Sequence, residues 1–194
     1  MAIIVVGGSA KGVGKTTLVC GLIAALDQFR WTAVKITSDP HQGLPPIYEE
    51  KVAGPETDTS RYLAAGAKRA FLLTIPPQRD LTDALDEFWP RIGRGANLIF
   101  ESNRAIGLVS ASACLLVQGD PSAGEAKPSF YRAAPFADAL VVHGDADLML
   151  ADAMKVEGRS RGPIFHLKQL GQISAEMKSW LRQRPGKADQ GASK

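Results

Sequence analysis

The sequence predicts a doubly wound α/β fold: a mostly parallel, seven-stranded sheet with helices on both faces. Two observations carry that prediction. Short apolar runs rich in Val, Ile and Leu recur along the chain, and segments with helical spacing alternate with them. Near-continuous hydrophobicity suits strands covered on both faces, and alternation with helices supplies the crossovers that parallel pairing needs.

The elements follow in order. "AIIVVGG" (residues 2–8) reads as the first strand and a glycine-rich turn leads from it to a helix at 15–29. "WTAVKIT" (31–37) is the second strand. Residues 40–58, rich in Pro and Gly, read as a long loop, of a length that is usually either functional or disordered. A helix at 59–67, which Asp58 or Thr59 could cap, precedes the strand "RAFLLTI" (69–75). In the next helix, 81–92, Leu81, Ala84, Leu85, Phe88 and Ile92 return at three- and four-residue steps and share a face. "ANLIFES" (96–102) and "ACLLVQGD" (113–120) are further strands, and 119–130 reads as a second loop. "DALVVHGD" (138–145), a helix at 148–156, "GPIFHLK" (162–168) and a helix at 174–184 complete the domain, 1–184. Residues 185–194 form a polar tail where no function is expected.

Composition narrows the function. The 194 residues are 45% hydrophobic and 22% charged with a net charge of +3, ordinary for a single globular core. The basic residues are scattered rather than gathered in a stripe, which argues against nucleic acid as the main partner. No apolar run is long enough to span a bilayer and no signal-like segment opens the chain, so a cytoplasmic location without membrane contact is expected. Cys20 and Cys114 lack metal or redox spacing and read as buried free thiols. His41 reads as a loop histidine, and His143 and His166 as satisfied core or crevice-edge residues; no two have metal-ligand spacing.

The chemistry concentrates in "VVGGSAKGVGKTTL". A strand ends, glycines expose successive backbone N–H groups, and a helix begins with its positive dipole end: this is an anion site. Gly8, Ser9, Lys11, Gly12, Val13, Gly14, Lys15, Thr16 and Thr17 are the candidate phosphate cradle. Lys15 would reach the β- and γ-phosphates, the Thr16 hydroxyl would take a Mg²⁺ position, and Thr17 would add a bond to the α-phosphate. Ser9 stands where the pattern G-x-x-x-x-G-K-[ST] has its first glycine; a small residue with negative φ fits there. Lys11 is either a phosphate or partner contact or a solvated loop lysine.

Mg²⁺ on a nucleotide takes one or two carboxylates, sought at strand ends beside the loop. Glu101 ends an apolar strand, where a charge is costly unless it faces a crevice or a partner. It is a candidate for the metal and attacking-water neighbourhood, Asp39 is a second, and Asp120 a third; Asp58 also stays open as a metal position. Lys35, inside a strand pattern, lies either at a crevice or snorkelling at an edge.

With "GVGKTTL", "VKITSDPH" and "GPETDTSRYLAAGAKRAFLL", the first hundred or so residues resemble the B protein family of molybdopterin-guanine dinucleotide biosynthesis. The resemblance implies a P-loop NTPase fold, hydrolysis of GTP or ATP with Mg²⁺, a part in molybdenum-cofactor assembly with a synthesis protein as partner, and a homodimer. The chain departs from that family at its histidine-rich run, reduced to His41, and at the glutamate-glycine pair, which is Glu101-Ser102. It offers no Asn-Lys-x-Asp guanine reader, so the base stays open. The wider class of dimerising P-loop enzymes keeps two other readings open: a dethiobiotin-synthetase-like small-molecule kinase or ATP-dependent carboxylate-activating enzyme, and a nucleotide-dependent partner-binding switch.

Overall fold

The computed structural model describes residues 1–41, 43–119, 125–143 and 162–184. The helix expected at 148–156, the tail 185–194 and Asp120 lie outside the described residues. Among those described, the strands are β1 (Ile3–Gly8), β2 (Thr32–Thr37), β3 (Ile47–Glu50), β4 (Arg69–Thr74), β5 (Leu98–Glu101), β6 (Ala113–Gln118), β7 (Ala139–His143) and β8 (Ile164–Leu167). The helices are α1 (Lys15–Ala25), α2 (Asp58–Ala64), α3 (Leu81–Ile92), α4 (Pro128–Ala133) and α5 (Ala175–Arg182).

The strands form one sheet in the order β3-β4-β2-β5-β1-β6-β7-β8, parallel throughout except where β3 runs against β4. All seven expected strands are present, and β3 makes an eighth. It lies within residues 40–58, which the sequence reads as loop. The correction has a local cause: Thr74 N–H donates to Pro46 O at 2.8 Å, and Arg69 Nε donates to Glu49 at 2.7 Å across the pair. These contacts hold a short, polar, half-buried edge strand that carries no apolar run of its own.

Alternation along each strand divides the core. Ile3 and Val5 of β1 face a cluster with Leu81, Leu85 and Phe88 of α3 and Phe130 of α4. Ile4 and Val6 face another with Leu18, Leu22 and Ile23 of α1, Tyr62 of α2, and Met177 and Leu181 of α5. Helices therefore cover both faces, as the apolar runs require.

Local caps fix where helices start. The Asp80 carboxylate accepts from Thr82 N–H at α3, and the Ser174 hydroxyl from Met177 N–H at α5. At α2 the cap is Thr57, not Asp58 or Thr59: its hydroxyl accepts from Ser60 N–H at 3.0 Å, and Thr57 N–H donates to Ser60 Oγ at 2.9 Å. That one-residue difference leaves the Asp58 carboxylate free to turn elsewhere. The end of the second expected loop is helical, since α4 starts at Pro128, a residue pre-set for a first helical turn.

The connections from β1 lead outward to β2 and β4, while those from β6 lead to β7 and β8 at the other edge. Connections that leave neighbouring carboxyl ends in opposite directions open a crevice there, where open α/β sheets bind ligands.

Candidate active site

A cavity of about 840 Å³ occupies that crevice. The loop between β1 and α1 lines one wall through Gly8, Gly12, Gly14, Lys15, Thr16 and Thr17. Gly14 is the N-cap of α1 at φ 90°, a conformation L side chains rarely adopt, and a Cβ there would collide with Leu170. No side chain caps α1, so its first N–H groups face the cavity wall uncapped. Gly12, at φ 79°, opens onto free space.

Ser9 answers the irregular spacing of the glycines. It has no positive φ, is buried, and its hydroxyl accepts from Gly119 N–H at 3.3 Å while its own N–H donates to Val117 O at 2.9 Å. A hydroxyl here ties the loop to the end of β6, which a glycine could not do. Val13 likewise points inward, with its carbonyl 3.2 Å from His143 Nε2. Asn103 anchors the loop's other root. It accepts from Gly8 N–H at 2.7 Å and donates to Gly8 O at 2.9 Å, as a neighbouring strand would.

Lys15 Nζ donates to Ala10 O at 2.8 Å across the turn. Burial is the main cause that holds its ammonium below the ordinary lysine value; Glu101 opposes that shift, and Lys35 and Lys127 add to it. Thr16 Oγ1 donates to Glu101 Oε2 at 2.9 Å. Glu101, 2% exposed, also accepts from Lys35 Nζ and from the Tyr62 hydroxyl. Lys35 reaches Asp58 Oδ2 at 3.0 Å as well, so one ammonium joins two carboxylates. Burial pulls the Lys35 value down, but Glu101 and then Asp58 outweigh it and leave the ammonium above its ordinary value. Burial pushes the Asp58 carboxyl up; Lys35, with Thr16 and Arg61, reverses this and holds it below the usual carboxylate value. Complete burial, with Glu101 adjacent, keeps the Tyr62 phenol well above its own.

The candidates from sequence fall in two groups. Glu101 joins Thr16 in the buried cluster. Asp39 lines the same cavity but is exposed, with its N–H donating to Thr37 Oγ1 at 3.0 Å. Lys11 is exposed on the lining, and His41 stands at the rim. His166 is exposed on β8 rather than in the core, because β8 is the edge of the sheet. Cys114 is buried; Cys20 is half-buried, with burial raising its thiol.

Sequence reasoning missed Tyr62, Asn103, Arg104 and Lys127 as site residues; it left Asp58 open as a cap or a metal position, and the Asp58 carboxylate stands 3.0 Å from Lys35. The Asp58 and Tyr62 signal was present: four residues apart on a helix, they share a face.

No protein-family model matches the sequence, and no curated protein does. Solved structures do. The chain is similar to HypB from Helicobacter pylori in complex with nickel, at 17% identity and TM-score 0.55, over 94% of this chain and 86% of that one. It is also similar to the hydrogenase maturation factor HypB from Archaeoglobus fulgidus, at 14% identity and TM-score 0.55, over 94% and 89%. These likenesses show the fold alone: a mostly parallel α/β sheet with helices on both faces. Among the described residues no helix is long and apolar enough to cross a membrane.

Proposed function

We propose that this chain binds a nucleoside triphosphate with Mg²⁺ and hydrolyses or transfers its terminal phosphate. The observation that carries the reading is the Thr16–Glu101 hydrogen bond, which sets the loop's hydroxyl against a buried carboxylate in a cavity lined by Lys15. Phosphoryl transfer asks for little more than placement and charge, and those are the parts present.

The donor set fits Mg²⁺. Thr16, Glu101 and Asp58 offer hard oxygens side by side, and among the described residues no cluster of three or more His, Cys, Asp or Glu forms a cage of its own. That suits an ion held between nucleotide phosphates and one or two protein groups. When bound, Mg²⁺ neutralises charge on the β- and γ-phosphate oxygens.

The chain's own residues supply the rest. The backbone N–H groups at the start of α1 receive phosphate oxygens, and Lys15, held close by the loop, pairs with the β- and γ-phosphates. Glu101 is set to orient an attacking group because three donors fix its carboxylate; Asp39 at the rim is the alternative for that role. Lys35 pairs with Glu101 and holds the Asp58 carboxyl below the usual carboxylate value.

The finer reading follows the sequence resemblance: a GTP- or ATP-hydrolysing protein of molybdenum-cofactor assembly, acting as a homodimer. A second reading, small-molecule phosphotransfer or carboxylate activation, draws support from the cavity itself, which continues past the loop to His41, Tyr48 and Arg104. Thermal shifts with Mg²⁺ and ATP or GTP, followed by product analysis, test both. A rise in melting temperature with one triphosphate is expected. No rise with either contradicts nucleotide binding, and turnover without a modified small molecule separates the first reading from the second.

A further inference from the structure

The charge on the cavity wall is unbalanced in a directed way. Lys and Arg outnumber Asp and Glu seven to four along the lining. On the α2 side the cations are matched: Lys35 meets Glu101 and Asp58, and Arg61 stands 3.8 Å from Asp58. On the α4 side, across the sheet, Arg104, Lys127 and Arg132 line the same cavity and form no ion pair with a described carboxylate. Arg104's charge also acts on the exposed Asp80.

These three cations stand on anchored backbone. Arg104 donates from Nη1 to Ile75 O at 2.8 Å and from Nη2 to Arg79 O at 3.1 Å, which fixes its plane and leaves other N–H groups unspent. Lys127 N–H donates to Ser9 O at 2.8 Å, tying this residue to the phosphate loop. α4 buries Phe130 and Ala133 on one side and turns Ser129 and Arg132, three residues apart, to the cavity. Asn103, the residue that anchors Gly8, donates to Ser129 Oγ at 3.0 Å. The charge of Lys127 is also felt by Lys15.

We propose that Arg104, Lys127 and Arg132 hold the oxyanion, phosphate or carboxylate, of a second small-molecule ligand that shares the cavity with the nucleotide. Planar guanidinium groups and an ammonium around one concavity are the groups that bind such anions. A concave setting selects a small molecule over a macromolecular surface. The proposal rests on the nucleotide reading and deepens it: the protein acts on an acidic substrate.

The test fills the nucleotide site first. Protein saturated with Mg²⁺ and a non-hydrolysable triphosphate (AMPPNP or GMPPNP, whichever binds) is titrated calorimetrically with orthophosphate, and separately with malonate. One further anion per chain is expected with at least one probe, and the better probe tells phosphate from carboxylate recognition. In the Arg132→Ala variant, whose exposed position spares the core, that binding weakens by about tenfold or more while triphosphate affinity is kept. No binding of either probe overturns the proposal. So does anion binding unchanged in the variant, or triphosphate affinity lost with it, which would assign these cations to the nucleotide. A wild-type chain that binds neither triphosphate analogue would instead overturn the nucleotide reading itself.

Discussion

Lys35 and Glu101 are register partners on the adjacent parallel strands β2 and β5, and their side chains meet as an ion pair at the carboxyl end of the sheet. The same carboxylate takes the hydroxyls of Thr16 from α1 and Tyr62 from α2. One buried group thus ties the start of α1, two central strands and α2 together. Burying a carboxylate this deeply is tolerable only because each oxygen is met by a donor and one donor is charged.

Removing the cation should cost more than removing the anion. Lys35→Met leaves Glu101 buried without a counter-charge, a loss of about 3–5 kcal/mol. Glu101→Gln should cost less, because Lys35 keeps Asp58 at 3.0 Å. Urea denaturation of both variants checks the order, and equal losses would argue against a buried charge that depends on Lys35.

Glu101→Gln keeps the shape of the side chain and loses its charge and basicity. Turnover should fall by roughly 100-fold or more while nucleotide affinity changes little. Full turnover in a folded variant would reduce Glu101 to a structural residue and move attention to Asp39 or Asp58.

Tyr62→Phe removes one hydroxyl and little else. A hydrogen bond to a charged group is lost, at about 1.5–3 kcal/mol, but Thr16 and Lys35 still hold the carboxylate. The melting temperature should drop without a change in fold, as read by circular dichroism. An unchanged melting temperature would mean that this bond carries no stability.

The edge strand supplies a pH test. Glu49 is held at about 2, below its ordinary 4.5, chiefly by its hydrogen bond to Arg69, with Lys51 adding. Its folded value is depressed, so the native state binds fewer protons there than the unfolded one. The stability it adds is present above pH 4.5 and is lost as pH falls toward 2. The Glu49→Gln variant should lose less stability than wild type across that window, in urea midpoints measured at stepped pH. Parallel losses in both would rule out Glu49 as a contributor.

How far the sequence revealed these relations depends on their range. The six interior runs were legible because strands buried on both faces must be apolar along their length. β3 was not: "IYEE" lies at an edge, half exposed, and its pairing with β4 is decided by Arg69 and Thr74, far along the chain. Glu101 was legible because a charge closing an apolar strand needs a reason. Lys35 was ambiguous until its register partner was known. Asp58 and Tyr62 share a helix face that the sequence shows, but the partner that face meets depends on Thr57 taking the cap and on the Tyr62 hydroxyl reaching Glu101 at the end of β5, contacts that no local pattern encodes.

The central claim is that the β1–α1 loop holds the phosphates of a nucleotide through Lys15. Titration of wild type and Lys15→Ala with Mg²⁺ and ATP or GTP, with phosphate release followed in the same samples, tests it most directly. The account predicts saturable binding and release in wild type, and the loss of both in a Lys15→Ala protein with an intact fold. Equal affinity and turnover in the two proteins would contradict it.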